Sequence, residues 1–185
     1  MRPTIIRRWI GWGLAVAVFS VVRIAPAGAA YDPYTDFFDA SLGDLTEELQ
    51  FAEEQGKRAI FVFFEMDDCP FCHRMKYAVF NRPEVQAYFR EQFLNLAIDI
   101  EGDVEITDFN GRLTTHKAWA RDVHRVRLTP VMMFFDLAGR PLARYTGATP
   151  GAPELLWYGE FVVSGAYREM TFAHYRRAKR RQAVQ

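Results

Sequence analysis

Seven consecutive residues, Ala59-Ile60-Phe61-Val62-Phe63-Phe64-Glu65, constrain this chain more than any other stretch. The run is apolar up to its last residue and rich in β-branched and aromatic side chains. A strand without polar alternation offers no face to water, so it belongs in the middle of a sheet covered on both sides. It leads into Met66-Asp67-Asp68-Cys69-Pro70-Phe71-Cys72, and from Pro70 onward Met75, Val79 and Phe80 recur on one helical face. The two cysteines therefore sit where a buried strand passes into a helix.

The flanking segments supply the rest of the sheet. Asp44 and Glu47 match a capping box, and Leu45, Leu49 and Ala52 repeat at helical spacing, which predicts a helix over 44–55 closed by Gly56. Pro83 suits the first position of a helix running to Gln92, and Phe93 to Ile100 reads as a strand. Between Val104 and Thr115, Asn110-Gly111 separates two alternating segments, the signature of a tight hairpin. A short helix is expected over 117–126. Val131 to Asp136 reads as a strand, Ala138-Gly139-Arg140 as a turn, and Pro141 to Thr146 as its antiparallel partner. A helix from Pro153 to about Tyr167 and a short one after Met170 close the chain, while Tyr31 to Ala40 reads as an irregular lead-in. Alternating helix and strand in the first part demands a parallel βαβ crossover, and the closing hairpin adds antiparallel strands. The expected architecture is an α/β fold with a mixed central sheet flanked by helices and an inserted β-hairpin over 101–115.

The N-terminus has a different character. Arg2, Arg7 and Arg8 precede an apolar run from Trp9 to Val22, and Arg23 is followed by Ala25-Pro26-Ala27-Gly28-Ala29-Ala30. This is the layout of a secretory signal peptide over residues 1–30, leaving a domain over 31–185. The run of 14 residues is shorter than the ~20 a spanning helix needs. An uncleaved anchor is the alternative, and Arg7-Arg8 hints at twin-arginine export. Formal charge is zero, and removing the leader takes four arginines and no acid, so 19 basic residues face 23 acidic ones. Neither balance points to nucleic acid. Arg176, Arg177, Lys179, Arg180 and Arg181 read as a solvated final turn. Half the residues are hydrophobic, which excludes disorder and fills one core. No dimer-forming segment stands out, so a monomer is expected.

A Cys-x-x-Cys at a strand-to-helix junction is a redox arrangement. Cys69 at the helix N-terminus gains from unpaired N–H groups and the helix dipole, both of which favour a thiolate. Cys72, one turn in, can resolve a mixed disulfide formed on Cys69. So short a loop does little to staple a fold, so the pair is chemical before it is architectural. Exchange of this kind calls for no cofactor. Glu65, Asp67 and Asp68 precede Cys69, and negative charge facing the sulfur disfavours the thiolate and makes a stronger reductant. A protonated His73 acts in the opposite sense. Metal binding by both thiolates is the reading from another class. Zinc would take two further ligands from His73, His116, His124, His174 or carboxylates, and those histidines lack knuckle spacing. Thr129-Pro130 stands at the start of a buried strand, where proline removes a ladder donor.

Together these parts resemble the thioredoxin superfamily, and more closely its SoxW-like branch of exported bacterial thioredoxins. The likeness is carried by Asp68-Cys69-Pro70-Phe71-Cys72-His73-Arg74-Met75, Pro83-Glu84-Val85, Thr107-Asp108-Phe109-Asn110-Gly111, Leu128-Thr129-Pro130-Val131 and Ser164-Gly165-Ala166-Tyr167-Arg168-Glu169-Met170. It implies a periplasmic thiol–disulfide oxidoreductase with protein clients, usually a reductase fed by a membrane thiol carrier, with a disulfide oxidase or isomerase of the same fold as the alternative. It also implies a cis Pro130 that, with Thr129, lines the substrate position. Two departures matter. Asp68 stands where thioredoxins carry an aromatic residue, and Phe63 where many carry a buried acid that takes the second thiol's proton. Glu65 shares strand parity with Phe63, so Glu65 or Asp67 is the expected replacement.

Overall fold

The computed structural model describes residues 31–183, so the expected signal peptide lies outside the described residues. The apolar run forms strand β1 (Ala59–Glu65), and every one of its residues is buried. It lies second in a four-stranded sheet of order β2-β1-β5-β6, with β2 at Phe93–Asp99, β5 at Val131–Phe135 and β6 at Pro141–Thr146. β2 runs parallel to β1 from Ala59 opposite Phe93 to Glu65 opposite Asp99. β5 runs antiparallel, with Phe64 opposite Val131, and β6 antiparallel to β5. The sheet is therefore mixed, as the crossover and closing hairpin require.

Strand parity divides the core in two. Ile60, Val62 and Phe64 join Leu94, Leu96, Ile98, Met133 and Phe135 on one face, under α2 (Leu45–Glu54) and the Trp119 segment. Phe61, Phe63, Phe93, Met132 and Phe134 form the other face. It is covered by α3 (Pro70–Arg74), α4 (Pro83–Gln92), α6 (Ala152–Val163) and α7 (Phe172–Gln182). α2 starts where expected, because Asp44 Oδ1 accepts from the N–H groups of Thr46 and Glu47. α3 passes into a π-helical turn over Met75–Phe80, and α5 (His116–Ala118) does the same over Trp119–Val123. Each matches an expected helix with a wider last turn.

Three expectations change. The lead-in is not irregular throughout: Asp32 caps a single turn, α1 (Pro33–Asp36), with proline at its start. That turn drives Phe37 and Phe38 into the core, where Phe37 stacks on Phe80 at 4.2 Å. One turn is too short to show a period in sequence. The inserted hairpin, β3 (Glu105–Thr107) and β4 (Leu113–Thr115), is closed by Asp108 and not by a two-residue turn. Asp108 Oδ1 accepts from the N–H groups of Asn110 and Arg112, and Gly111 takes φ +76°. Its tip is anchored, with the Phe109 ring centred 5.0 Å from that of Phe135. A Cβ on Gly139 would stand 2.5 Å from Phe109, so only glycine lets the β5–β6 turn pass beneath it. Finally, the basic tail is not only a solvated end: Arg177, Arg180 and Arg181 stay exposed, but the segment is tied to the body. It forms α7, whose Arg176 and Arg180 pair with the buried Glu154 of α6 while Lys179 meets Glu160 at 2.5 Å. Among the described residues no helix is long and apolar enough to cross a membrane.

Candidate active site

Parallel β1 and β2 end together, and the chain leaves β1 at that edge to reach Cys69. Cys69 is the N-cap of α3, with extended backbone geometry, and Pro70 occupies the first helical position, where no N–H is needed. Cys69 Sγ accepts a hydrogen bond from Cys72 N–H at 3.1 Å. The two cysteines form a disulfide with their Cα atoms 5.2 Å apart. Both are buried, while Phe71 between them is 61% exposed. The N–H that reaches Cys69 Sγ is available to a thiolate once the bond is reduced.

Thr129-Pro130 lies beside this junction. Val131 pairs with Phe64, so Pro130 falls level with Glu65 at the end of β1. The Thr129–Pro130 peptide is cis, Pro130 C=O accepts from Gly147 N–H, and the buried Thr129 Oγ1 has no partner among the described residues.

The acids expected near the cysteines separate sharply. Asp67 and Asp68 are exposed, and the Asp67 carbonyl meets exposed His73 Nε2 at 2.9 Å. Glu65 is buried on the α3 side of the sheet, as its parity with Phe63 requires. Its Oε2 lies 2.6 Å from Lys76 Nζ, and its Oε1 accepts from the Tyr34 hydroxyl at 2.9 Å. Lys76 in turn donates to the Tyr34 oxygen at 2.5 Å, closing a three-membered cluster. Burial pulls the Lys76 ammonium down, but the hydrogen bonds and charge of Glu65 and Tyr34 outweigh it, and the net shift is upward. Lys76 thus stays charged and offsets Glu65, leaving Asp67 and Asp68 as the uncompensated acids on the approach to Cys69.

Neither Lys76 nor Tyr34 was singled out in the sequence. A signal for Lys76 existed: Cys72, Met75, Lys76 and Val79 occupy i, i+3, i+4 and i+7, the buried stripe of the helix. Tyr34 carried none, being 42 residues from Lys76. Among the described residues, no three His, Cys, Asp or Glu side chains group as metal ligands.

The geometry provides a helix-capped sulfur and a second one a turn behind it, which suffices for attack on a disulfide and resolution. Solved structures share the architecture. A thioredoxin-fold protein from Helicobacter pylori is 20% identical with a TM-score of 0.56, over 69% of this chain and 87% of its own. A DsbH oxidoreductase is 16% identical, TM-score 0.53, over 77% and 96%. A candidate disulphide isomerase from Bacteroides thetaiotaomicron is 27% identical, TM-score 0.53, over 69% and 94%. No curated protein sequence matches the chain. The thioredoxin-like domain model matches residues 45–162, a span from α2 through α6 that holds both cysteines and Thr129-Pro130, and the chain belongs to that thioredoxin-like family.

Proposed function

We propose that this protein is an exported, periplasmic disulfide reductase of the SoxW-like kind, acting through Cys69 and Cys72. The observation that carries the reading is Cys69 at a helix N-cap with its Sγ accepting the Cys72 N–H. In the reduced protein the Cys69 thiolate attacks a client disulfide, forming a mixed disulfide and releasing one client thiolate. Deprotonated Cys72 then attacks Cys69 Sγ and expels the second client sulfur. Two electrons leave the cysteine pair, and the client ends as two thiols. A membrane thiol carrier, expected from the family likeness, restores the dithiol. Thr129 and Pro130 hold the client chain beside Cys69, at the end of β1 where the cysteine pair begins.

Glu65 takes the Cys72 proton, in preference to Asp67. The support is position: Lys76 lies one turn from Cys72 on the buried stripe and pairs with the buried Glu65 carboxylate, whereas Asp67 is exposed. Reducing direction is favoured by exposed Asp67 and Asp68, whose charges oppose the thiolate. Isomerase activity is the second reading, favoured by the 27% identity to the Bacteroides protein.

Trapping tests the core of this reading. Cys72→Ser is expected to accumulate clients as mixed disulfides on Cys69, and equal trapping by Cys69→Ser would overturn the assignment of nucleophile and resolver. The Cys69–Cys72 reduction potential tests direction: a value near −120 mV, that of a strong oxidant, would exclude a reductase. An unchanged pH profile in Glu65→Gln would remove Glu65 from proton transfer.

A further inference from the structure

Along the outer edge of β2 runs a groove that the exchange chemistry leaves unused. β2 is the terminal strand of the sheet. Its edge is closed at Asn95, whose N–H donates to Asp39 Oδ2 at 2.8 Å and whose C=O accepts from Asp39 N–H at 2.7 Å. Past that point the lead-in turns away to the inserted hairpin, where Gly43 C=O accepts from Thr107 N–H and Asp44 bridges to Thr107. The divergence opens a cavity of about 460 Å³ between the β2 residues Leu96 to Asp99 and the side chains of Leu42 and Val104. Asn95 directs both backbone groups outward, so by strand period Ala97 directs its own N–H and C=O into this cavity. Four residues of edge span ~13 Å.

Two further features describe what would fit. Leu42 and Val104, both lining the groove, are 99% and 61% exposed, apolar side chains left open to solvent at its rim. Among the described residues, the titratable groups lining the groove are Tyr34, Asp39, Glu65, Asp67, Asp99 and His116, with no lysine or arginine; burial raises the Tyr34 hydroxyl, so it adds no charge at neutral pH. Burial holds His116 below the ordinary histidine range, against the weaker pull of Asp99, so it adds no positive charge at neutral pH. Glu65 is offset by Lys76 behind it. Asp39, Asp67 and Asp99 remain, and Asp67 lies two residues before Cys69.

We propose that this groove seats an extended client segment bearing lysine or arginine, added as a strand to β2 beside the disulfide that Cys69 attacks. The inference rests on the disulfide-exchange reading and adds a substrate class to it. Strand addition supplies main-chain hydrogen bonds to Ala97, while alternate side chains lie against Leu42 and Val104. The edge over Leu96 to Asp99 carries no proline or lysine to repel such a strand. Like charge at a rim costs affinity and slows encounter, so the three carboxylates select a basic segment over an acidic one.

The test uses the reduced full chain and two peptides of one sequence, each with an internal disulfide, flanked either by lysines or by glutamates. The lysine form should show kcat/KM about tenfold higher, with the preference shrinking as salt rises. Leu42→Lys with Val104→Lys, both at exposed positions, should bring the two peptides to parity. Exchange with the small neutral bis(2-hydroxyethyl) disulfide should stay unchanged. A disulfide-free serine version of the lysine peptide should slow hydrogen exchange at the Ala97 amide. Equal rates for both peptides, a preference that survives the double variant, or no protection of Ala97 would each overturn the docking site. Failure to react with the small disulfide would instead overturn the redox reading, because the serine peptide still reports docking by itself.

Discussion

Two carboxylates in this molecule are buried alike, and their partners are not. The side chains of Glu65 and Glu154 are 7% and 8% exposed. Glu65 is met by Lys76 at 5%, whereas Glu154 is met by Arg176 at 28% and Arg180 at 53%. Arg180 keeps much of its hydration and loses little on pairing, while Arg176 is only partly exposed. Their cluster ties α7 to α6, a structural duty. Lys76 gives up its water as well, and an ion pair desolvated on both sides is often no more stabilising than apolar residues of the same size. Stability alone therefore does not account for Glu65 and Lys76. The place of Lys76, one turn from Cys72 and paired with Glu65, does, if the cluster handles a proton that the reaction must move.

Replacing Lys76 by methionine should produce the largest effect on stability. It leaves the Glu65 carboxylate buried and uncompensated, with an expected loss of about 3–5 kcal/mol in urea unfolding. The double variant Glu65→Met/Lys76→Met removes both charges and should recover most of that loss while altering the pH profile of disulfide exchange. A double variant with wild-type pH dependence would reduce the pair to architecture and erase the contrast with Glu154.

Alkaline titration sharpens the same point. Lys76 is shifted upward in the fold, so its contribution to stability is complete below its unfolded value of ~10.4 and is lost as pH rises through the higher folded value. Wild type should lose stability over that alkaline range and the double methionine variant should lose less, as read by unfolding midpoints across pH.

Glu154→Gln should cost about 1 kcal/mol, with faster amide exchange confined to Phe172–Gln182 and no change in exchange chemistry. Tyr34→Phe should cost less still. It removes one hydroxyl from a half-exposed ring and leaves the Glu65–Lys76 contact in place. A larger loss in Tyr34→Phe than in Glu154→Gln would mean that the hydroxyl, and not the ammonium, holds Glu65.

The sequence by itself determined the central strand, the cysteine pair at its exit, the capped start of α2 and the parity that places Glu65 on the α3 side of the sheet. These are local properties: a period of two or 3.6, a capping side chain, a proline at a first turn. It also marked Asn110-Gly111 as a turn, though Asp108 closes it. Only the tertiary structure decided that Lys76 spends its charge inside the protein, that one turn at Pro33–Asp36 delivers Phe37 and Phe38 to the core, and that α7 presents its arginines to Glu154. Each of these joins residues far apart in the chain, where a lysine or an arginine reads as solvated until a distant carboxylate is brought against it. Whether a charge faces water or a buried partner is settled by the approach of elements, and sequence periodicity carries no measure of that approach.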